Sequence, residues 1–300
     1  MVLKCGPYIR GNVAVPSAQI DVYRAGTEEA AWVDLGSREL IRVTGPDRVS
    51  FVQGMVTNDV TGSAPVYAAL LTPKGAMVSD ARVIPHGDAL LIEAPRADVV
   101  LAHLSKYLIS EEAELALAPE LGVVGVLGPK APPLDGALVS MPGLLGRGTD
   151  FVFPRPLPSP ALPKLDEATF EVLRVEAGVP KWGVDMTETT IPLEANLERA
   201  IHYQKGCYIG QEVIARATYR GQMAKRLTGL LLDELTPERG TELRRGEKKV
   251  GFVTSVVRSG LLDQFIALAY VHRDSLEPGT ELELASGGKA LVVGLPFLKK

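Results

Sequence analysis

After Arg226 the sequence offers no further helix. Short apolar runs at Leu227 to Leu232, Lys249 to Val257, Phe265 to Val271, Glu281 to Leu284 and Ala290 to Gly294 follow one another, separated by turn residues. Runs of that length and spacing fold as strands, and a set of short strands without a covering helix closes most simply into a barrel. The earlier part of the chain mixes both periods. Trp32 to Leu35 and Leu40 to Val43 read as strands, and Gly45-Pro46-Asp47 opens a helix carrying Val49, Val52 and Val56. Two apolar runs flank Pro73-Lys74-Gly75 as a hairpin, Ala89 to Ala94 is a strand, and Ala97 to Leu108 is a helix. The runs Leu115 to Leu117 and Val123 to Leu127 again read as strands, and Pro154, Pro156, Pro158, Pro160 and Pro163 mark an irregular crossing. A helix resumes at Asp166, with Phe170, Leu173 and Ala177 on one face and Arg174 and Glu176 off it. The expectation is an α+β chain with an α/β region over residues 1–225 and a β-barrel over residues 226–300.

Between these regions lies the segment Lys205 to Arg226. Lys205, Arg216, Arg220, Lys225 and Arg226 set against Glu212 make it about +4, inside a chain whose formal net charge is -4. It also holds Cys207, one of only two cysteines, so thiol chemistry here rests on a single sulfur. Lys205 lies two positions before Cys207 and a helix-compatible stretch, Gly210 to Arg216, follows. A cation and a helix N-terminus both favour a thiolate, whereas a half-buried cysteine merely packs. Tyr208 and Gln211 add directional polar groups beside it. Cys5 is read as incidental.

Asp80 stands in an apolar run, Met77 to Val83, where a carboxylate needs either a structural hydrogen-bond donor or a ligand. Arg174 is open to the same two readings, and Glu194 is either a ligand contact or a first-turn glutamate favoured by the helix dipole. His86, His103, His202 and His272 are scattered without metal-ligand spacing, so no metal site is expected. The glycines of Gly143 to Gly148 lack a phosphate-loop pattern. Mild overall acidity speaks against general nucleic-acid binding. No apolar run reaches the length of a bilayer span and the N-terminus has no signal-peptide pattern, so a cytoplasmic protein is expected.

Lys205-Gly206-Cys207-Tyr208-Ile209-Gly210-Gln211-Glu212 resembles the signature of the YgfZ family, folate-binding proteins related to the T-protein (aminomethyltransferase) of the glycine cleavage system. The resemblance extends over nearly the whole chain: Gly45-Pro46-Asp47 with Thr57-Asn58-Asp59-Val60, Lys74-Gly75 with Asp80, Arg174 to Gly178, Pro192 to Leu197, and Gly251 to Ser255. It implies mixed α/β halves around a central channel that holds tetrahydrofolate, closed by the barrel. It also implies support of iron-sulfur proteins or their assembly factors. Asp80 falls at the T-protein's catalytic aspartate and Arg174 at its folate-contacting arginine. In that reading Cys207, Asp80 and Lys205 carry the chemistry, and Asp80, Asp150, Arg174, Glu194, Tyr208, Gln211 and Arg220 hold the folate. Aminomethyltransferases carry Gly-Tyr-Thr-Gly-Glu-x-Gly-Phe-Glu, whose tyrosine and last glutamate hold the pterin. The corresponding segment, Gly143 to Phe151, lacks the tyrosine and offers Asp150 for the glutamate. Two other functions fit the same residues: folate-dependent aminomethyl or methyl transfer, and non-catalytic folate binding as a scaffold. The sequence leaves open whether the chain is an enzyme.

Overall fold

The computed structural model describes residues 13–14, 20–221, 223–233 and 236–297; the side chains of residues 13, 14 and 220 are outside the described set. Cys5 lies outside the described residues. The chain opens with β1 (Val13–Ala14), α1 (Ile20–Glu28), β2 (Ala31–Asp34), β3 (Arg38–Thr44) and α2 (Arg48–Met55). The hairpin expected at Pro73-Lys74-Gly75 joins β4 (Val66–Leu71) to β5 (Met77–His86), and β6 (Ala89–Pro95), α3 (Ala97–Ser105) and β7 (Glu114–Leu117) follow. These strands form an antiparallel sheet in the order β4-β5-β6-β3-β7. On β5 the period of two sends Ala81 and Val83 to one face, where they pack with Phe51, Val52, Val100 and Leu104 of α2 and α3. Asp80, Arg82 and Ile84 therefore share the opposite face.

That face looks toward a second antiparallel sheet, ordered β2-β8-β10-β9, made with β8 (Leu121–Leu127), β9 (Val139–Pro142) and β10 (Thr149–Pro154). Ile84 and Leu91 of the first sheet join Val33, Val123 and Val152 of the second in one core. The proline-dense crossing is pinned rather than loose. Trp32 N donates to Pro163 O, Leu165 N donates to Trp32 O, and Leu157 and Leu162 pack beside Trp32. Next comes α4 (Glu167–Glu176), capped by Asp166, whose side chain accepts from Thr169 N. Two short 3-10 turns, Pro192–Ala195 and Glu198–Ala200, lead to α5 (Gln211–Arg220).

The barrel comprises β11 (Lys225–Leu232), β12 (Glu242–Arg245), β13 (Lys248–Ser259), β14 (Gln264–His272), β15 (Glu281–Leu284) and β16 (Lys289–Val293). The order β13-β12-β15-β16-β11-β14 closes through the β13–β14 pairing, and β1 adds to β13 in parallel. Along β14, Ala267, Ala269 and Val271 fill the barrel while Ile266, Leu268 and Tyr270 face outward into the core shared with α4. The all-β reading thus holds, and the barrel is covered on one side by α4. Under that cover Arg174 and Glu176, which lie off the apolar face of α4 as expected, are buried against the barrel. Five elements had no sequence expectation: β1, α1, β9, β10 and β12.

Candidate functional site

The polar face of the first sheet is built by strand register. Tyr67 of β4 pairs with Arg82 of β5, Arg82 pairs with Glu93 of β6, and Glu93 lies between β5 and β3. Glu93, fully buried, therefore meets an arginine from each side. Arg82 donates from Nε and Nη2 to its two oxygens, both at 2.8 Å, and Arg38 donates from Nε at 2.7 Å. Each guanidinium then reaches a second carboxylate. Arg38 Nη1 donates to Asp80 Oδ2 at 2.9 Å, and Arg82 Nη1 donates to Asp150 Oδ2 on the second sheet. The result is a buried ladder, Asp80–Arg38–Glu93–Arg82–Asp150, of alternating charge. Burial alone raises the Glu93 pKa, but Arg38 and Arg82 outweigh it and hold the group at about 2. Burial likewise opposes the charge on both arginines, and the flanking carboxylates outweigh it, so both are raised. At Asp150 burial prevails over Arg82, and its pKa is raised.

Beside the ladder is a cavity of about 180 Å³ between the two sheets, lined by Tyr67, Arg82, Pro142, Leu144 and Arg199 among others. Tyr67 donates its hydroxyl to Asp80 Oδ2 at 3.1 Å, and the Arg199 guanidinium lies 4.9 Å from the Tyr67 ring centre. Burial and the Asp80 charge push the Tyr67 phenol well above its ordinary range, so it stays protonated and donating. Asp150 is occupied by Arg82 and by Leu144 N at 2.9 Å. Two buried atoms of the ladder, Asp80 Oδ1 and Arg38 Nη2, have no hydrogen-bond partner among the described residues.

The cysteine segment is held at a different place. Lys205 is buried, and its Nζ donates to Gln53 O at 2.7 Å, Val56 O at 2.8 Å and Asn58 O at 2.6 Å. A cation with three donors thereby satisfies carbonyls at the C-terminus of α2, where the helix dipole also favours it. Burial pulls the Lys205 pKa down to about 8, which still leaves the amine protonated at neutral pH. Thr57 completes the dock: its hydroxyl donates to Ala200 O at 2.6 Å and accepts from Ala69 N at 2.8 Å, and Ile209 N donates to Gly54 O. On this foundation Cys207 is exposed. Tyr208 packs beside Leu71 and Ile201, with burial lifting its phenol to about 12, and its backbone N–H donates to Gln211 Oε1 at 3.4 Å. The Arg220 side chain lies outside the described residues.

Arg174 and Glu194 lie at the seam with the barrel. Arg174 donates to Glu171, to Val179 O, to Asp185 Oδ2 at 2.8 Å and to Ser255 Oγ at 2.8 Å. Asp185 in turn accepts from Thr254 and Ser255, two successive residues that a bulge in β13 turns toward the same carboxylate. Every guanidinium nitrogen of Arg174 is thus occupied within the protein. Burial raises the Glu194 pKa against the pull of Lys225, whose amine is 3.9 Å away. The expected folate-holding residues therefore fall into three places: Asp80 with Asp150 at the ladder, Arg174 and Glu194 at the seam, and Tyr208 and Gln211 under the cysteine loop. Sequence reasoning missed Arg38, Arg82 and Glu93. The signal that singled out Asp80, an ionisable side chain in an apolar strand, is equally present in Leu91-Ile92-Glu93-Ala94.

Residues 225–299 match the glycine cleavage T-protein C-terminal barrel domain. The solved structure of glycine cleavage system aminomethyltransferase T from Bartonella henselae is similar with a TM-score of 0.80, covering 93% of this chain and 89% of that one at 22% identity. The chain has the aminomethyltransferase fold. In sequence it is 27% identical to the mitochondrial iron-sulfur cluster assembly factor IBA57 homolog of Chaetomium globosum, over 86% of this chain and 68% of that protein. It is 28% identical to the aminomethyltransferase of Rubrobacter xylanophilus, over 93% of this chain and 86% of that protein. The resemblance read from the cysteine motif and its companions is borne out. Among the described residues no helix is long and apolar enough to cross a membrane.

Proposed function

We propose that this chain binds tetrahydrofolate and assists the assembly or repair of iron-sulfur enzymes, with Cys207 as its working thiol. The observation that carries this reading is the exposed Cys207 on a loop fixed from beneath by the three main-chain bonds of Lys205. A thiol offered on a rigid support suits a macromolecular partner, and the similarity to a protein named as an iron-sulfur assembly factor supports the same direction. Lys205 acts here as a positioning residue, since its amine is spent on carbonyls rather than on the sulfur.

The residues beside the cavity fit a reduced pterin. An aromatic ring, Tyr67, and a guanidinium stacked on it, Arg199, line the cavity, and the unpartnered oxygen of Asp80 belongs to the carboxylate that the Tyr67 hydroxyl holds. When bound, tetrahydrofolate would supply a reduced, oxidisable ring and a one-carbon carrier nitrogen. Tyr67 and Arg38 keep Asp80 oriented, and Asp80 is the group able to accept a proton there.

The test is complementation in cells lacking the chain, read as the activity of cluster-dependent enzymes. Cys207→Ala is expected to lose that support at least about five-fold while folate affinity by calorimetry is unchanged; full support from the variant sinks the reading. A second reading, folate-dependent aminomethyl or methyl transfer, is favoured by the free oxygen of Asp80 and predicts in vitro transfer lost in Asp80→Asn and kept in Cys207→Ala. Folate binding without either activity would leave a scaffold.

A further inference from the structure

Asp80 and Arg38 make one hydrogen bond where their shapes allow two. A guanidinium and a carboxylate normally meet as a two-pronged pair. Here Glu93 holds Arg38 by Nε and the Tyr67 hydroxyl holds Asp80 by Oδ2, the same oxygen that takes Arg38 Nη1. The second prongs, Asp80 Oδ1 and Arg38 Nη2, are buried and unpartnered, on residues that are 2% and 8% exposed. Leaving such atoms unmet carries a desolvation penalty that a ligand able to pair with both would relieve. The ladder also carries three carboxylates against two guanidiniums, so the unmatched charge is negative. Neither residue lines the cavity itself: the lining residue next to them is Tyr67, whose hydroxyl holds Asp80, so a ligand in the cavity meets this acceptor and donor by displacing that ring.

From this arrangement we infer that Arg38 is a ligand-reading residue: its Nη2 donates to the 4-oxo group of the reduced pterin, while Asp80 Oδ1 accepts from a ring N–H flanking that carbonyl. Glu93 and Arg82 are the positioning residues that prevent Arg38 from closing on Asp80. The inference rests on the folate reading above and adds the part of the ring that is recognised and the residue that recognises it. A ligand with an amino group in place of the 4-oxo group presents a donor to a donor, and a buried mismatch of that kind is rejected.

The experiment compares, by calorimetry, the affinities of tetrahydrofolate and of its 2,4-diamino analogue in the wild-type chain, in Arg38→Met and in Arg38→Lys. Because the ratio of two affinities is read within one variant, a change in folded fraction cancels. The wild type is expected to prefer the 4-oxo ligand by at least about ten-fold, and Arg38→Met to lose most of that preference. If Arg38→Met binds neither ligand, the ratio is read in Arg38→Lys, which keeps the charge but not the fork and is expected to lose the preference too. A preference unchanged in the variant overturns the role of Arg38 and leaves folate binding standing. A wild type that binds neither ligand removes the folate reading and this inference together.

Discussion

Lys205 and Cys207 are two positions apart and do opposite work. The lysine is buried and its three protons meet three carbonyls around the end of α2, whereas the cysteine is exposed above it. Lys205→Met keeps the length of the stem and strands those carbonyls, which should cost about 2–4 kcal/mol of unfolding free energy in urea. Cys207→Ser, on the exposed side, should change it by less than about 0.5 kcal/mol. Equal effects from the two substitutions would contradict the division of roles. The sequence placed both residues in one motif correctly, yet it suggested that the amine serves the sulfur. Nothing in the spacing Lys-Gly-Cys shows that the lysine turns inward, because its acceptors come from Gln53, Val56 and Asn58, about 150 residues away in the chain.

At the scale of elements, the hairpin that carries Asp80 and the helix that follows Cys207 are fitted to each other by glycine. Gly75, at the hairpin tip with φ +76°, lies where an added Cβ would come within 2.5 Å of Val213 Cβ on α5, and a Cβ added to Gly210, at φ +81°, would lie 2.7 Å from Thr72 O. Gly75→Ala adds backbone strain and a side-chain clash, together about 2–4 kcal/mol. Val213→Gly in the same chain removes the Cβ that alanine would keep and should recover about 1–2 kcal/mol of that loss, so the two changes should be non-additive in a double-mutant cycle followed by thermal unfolding. Additive costs would mean that the hairpin and helix do not bear on one another. The hairpin itself was legible from Pro73-Lys74-Gly75, and the strands of the barrel from their short apolar runs. Less legible were β12, Glu242–Arg245, where charged residues dominate, and α1, Ile20–Glu28, which has few large apolar side chains to set a period. Their structure comes from partners: β12 pairs with β13 and β15, and Tyr23 of α1 donates to Glu176 of α4 at 2.6 Å.

Over the whole molecule, the ladder spans both sheets of the α/β region, and that is why its chemistry was hidden in the sequence. Arg38, Asp80, Arg82, Glu93 and Asp150 come from four strands, and their alternation of charge exists only once the register is set. A buried ladder of this kind makes stability depend on pH. Glu93 titrates at about 2 in the folded chain against an ordinary value of 4.5, so its contribution is complete above about pH 4.5 and is lost as the pH falls toward 2. The separation amounts to a contribution on the order of 3 kcal/mol. Asp150, held above the ordinary range by burial, works in the opposite sense: its neutral form suits the fold, so acid relieves rather than adds strain at that end. Glu93→Gln isolates the first effect. Each guanidinium keeps one carboxylate, Arg38 with Asp80 and Arg82 with Asp150, so the variant is expected to fold but with a lower urea midpoint at neutral pH. Acid protonates Glu93 in the wild type and makes it resemble the glutamine, so the two midpoints should converge between about pH 4.5 and pH 2. A gap between them that stayed constant through that interval would show that the charge on Glu93 is not what binds the two arginines into the ladder.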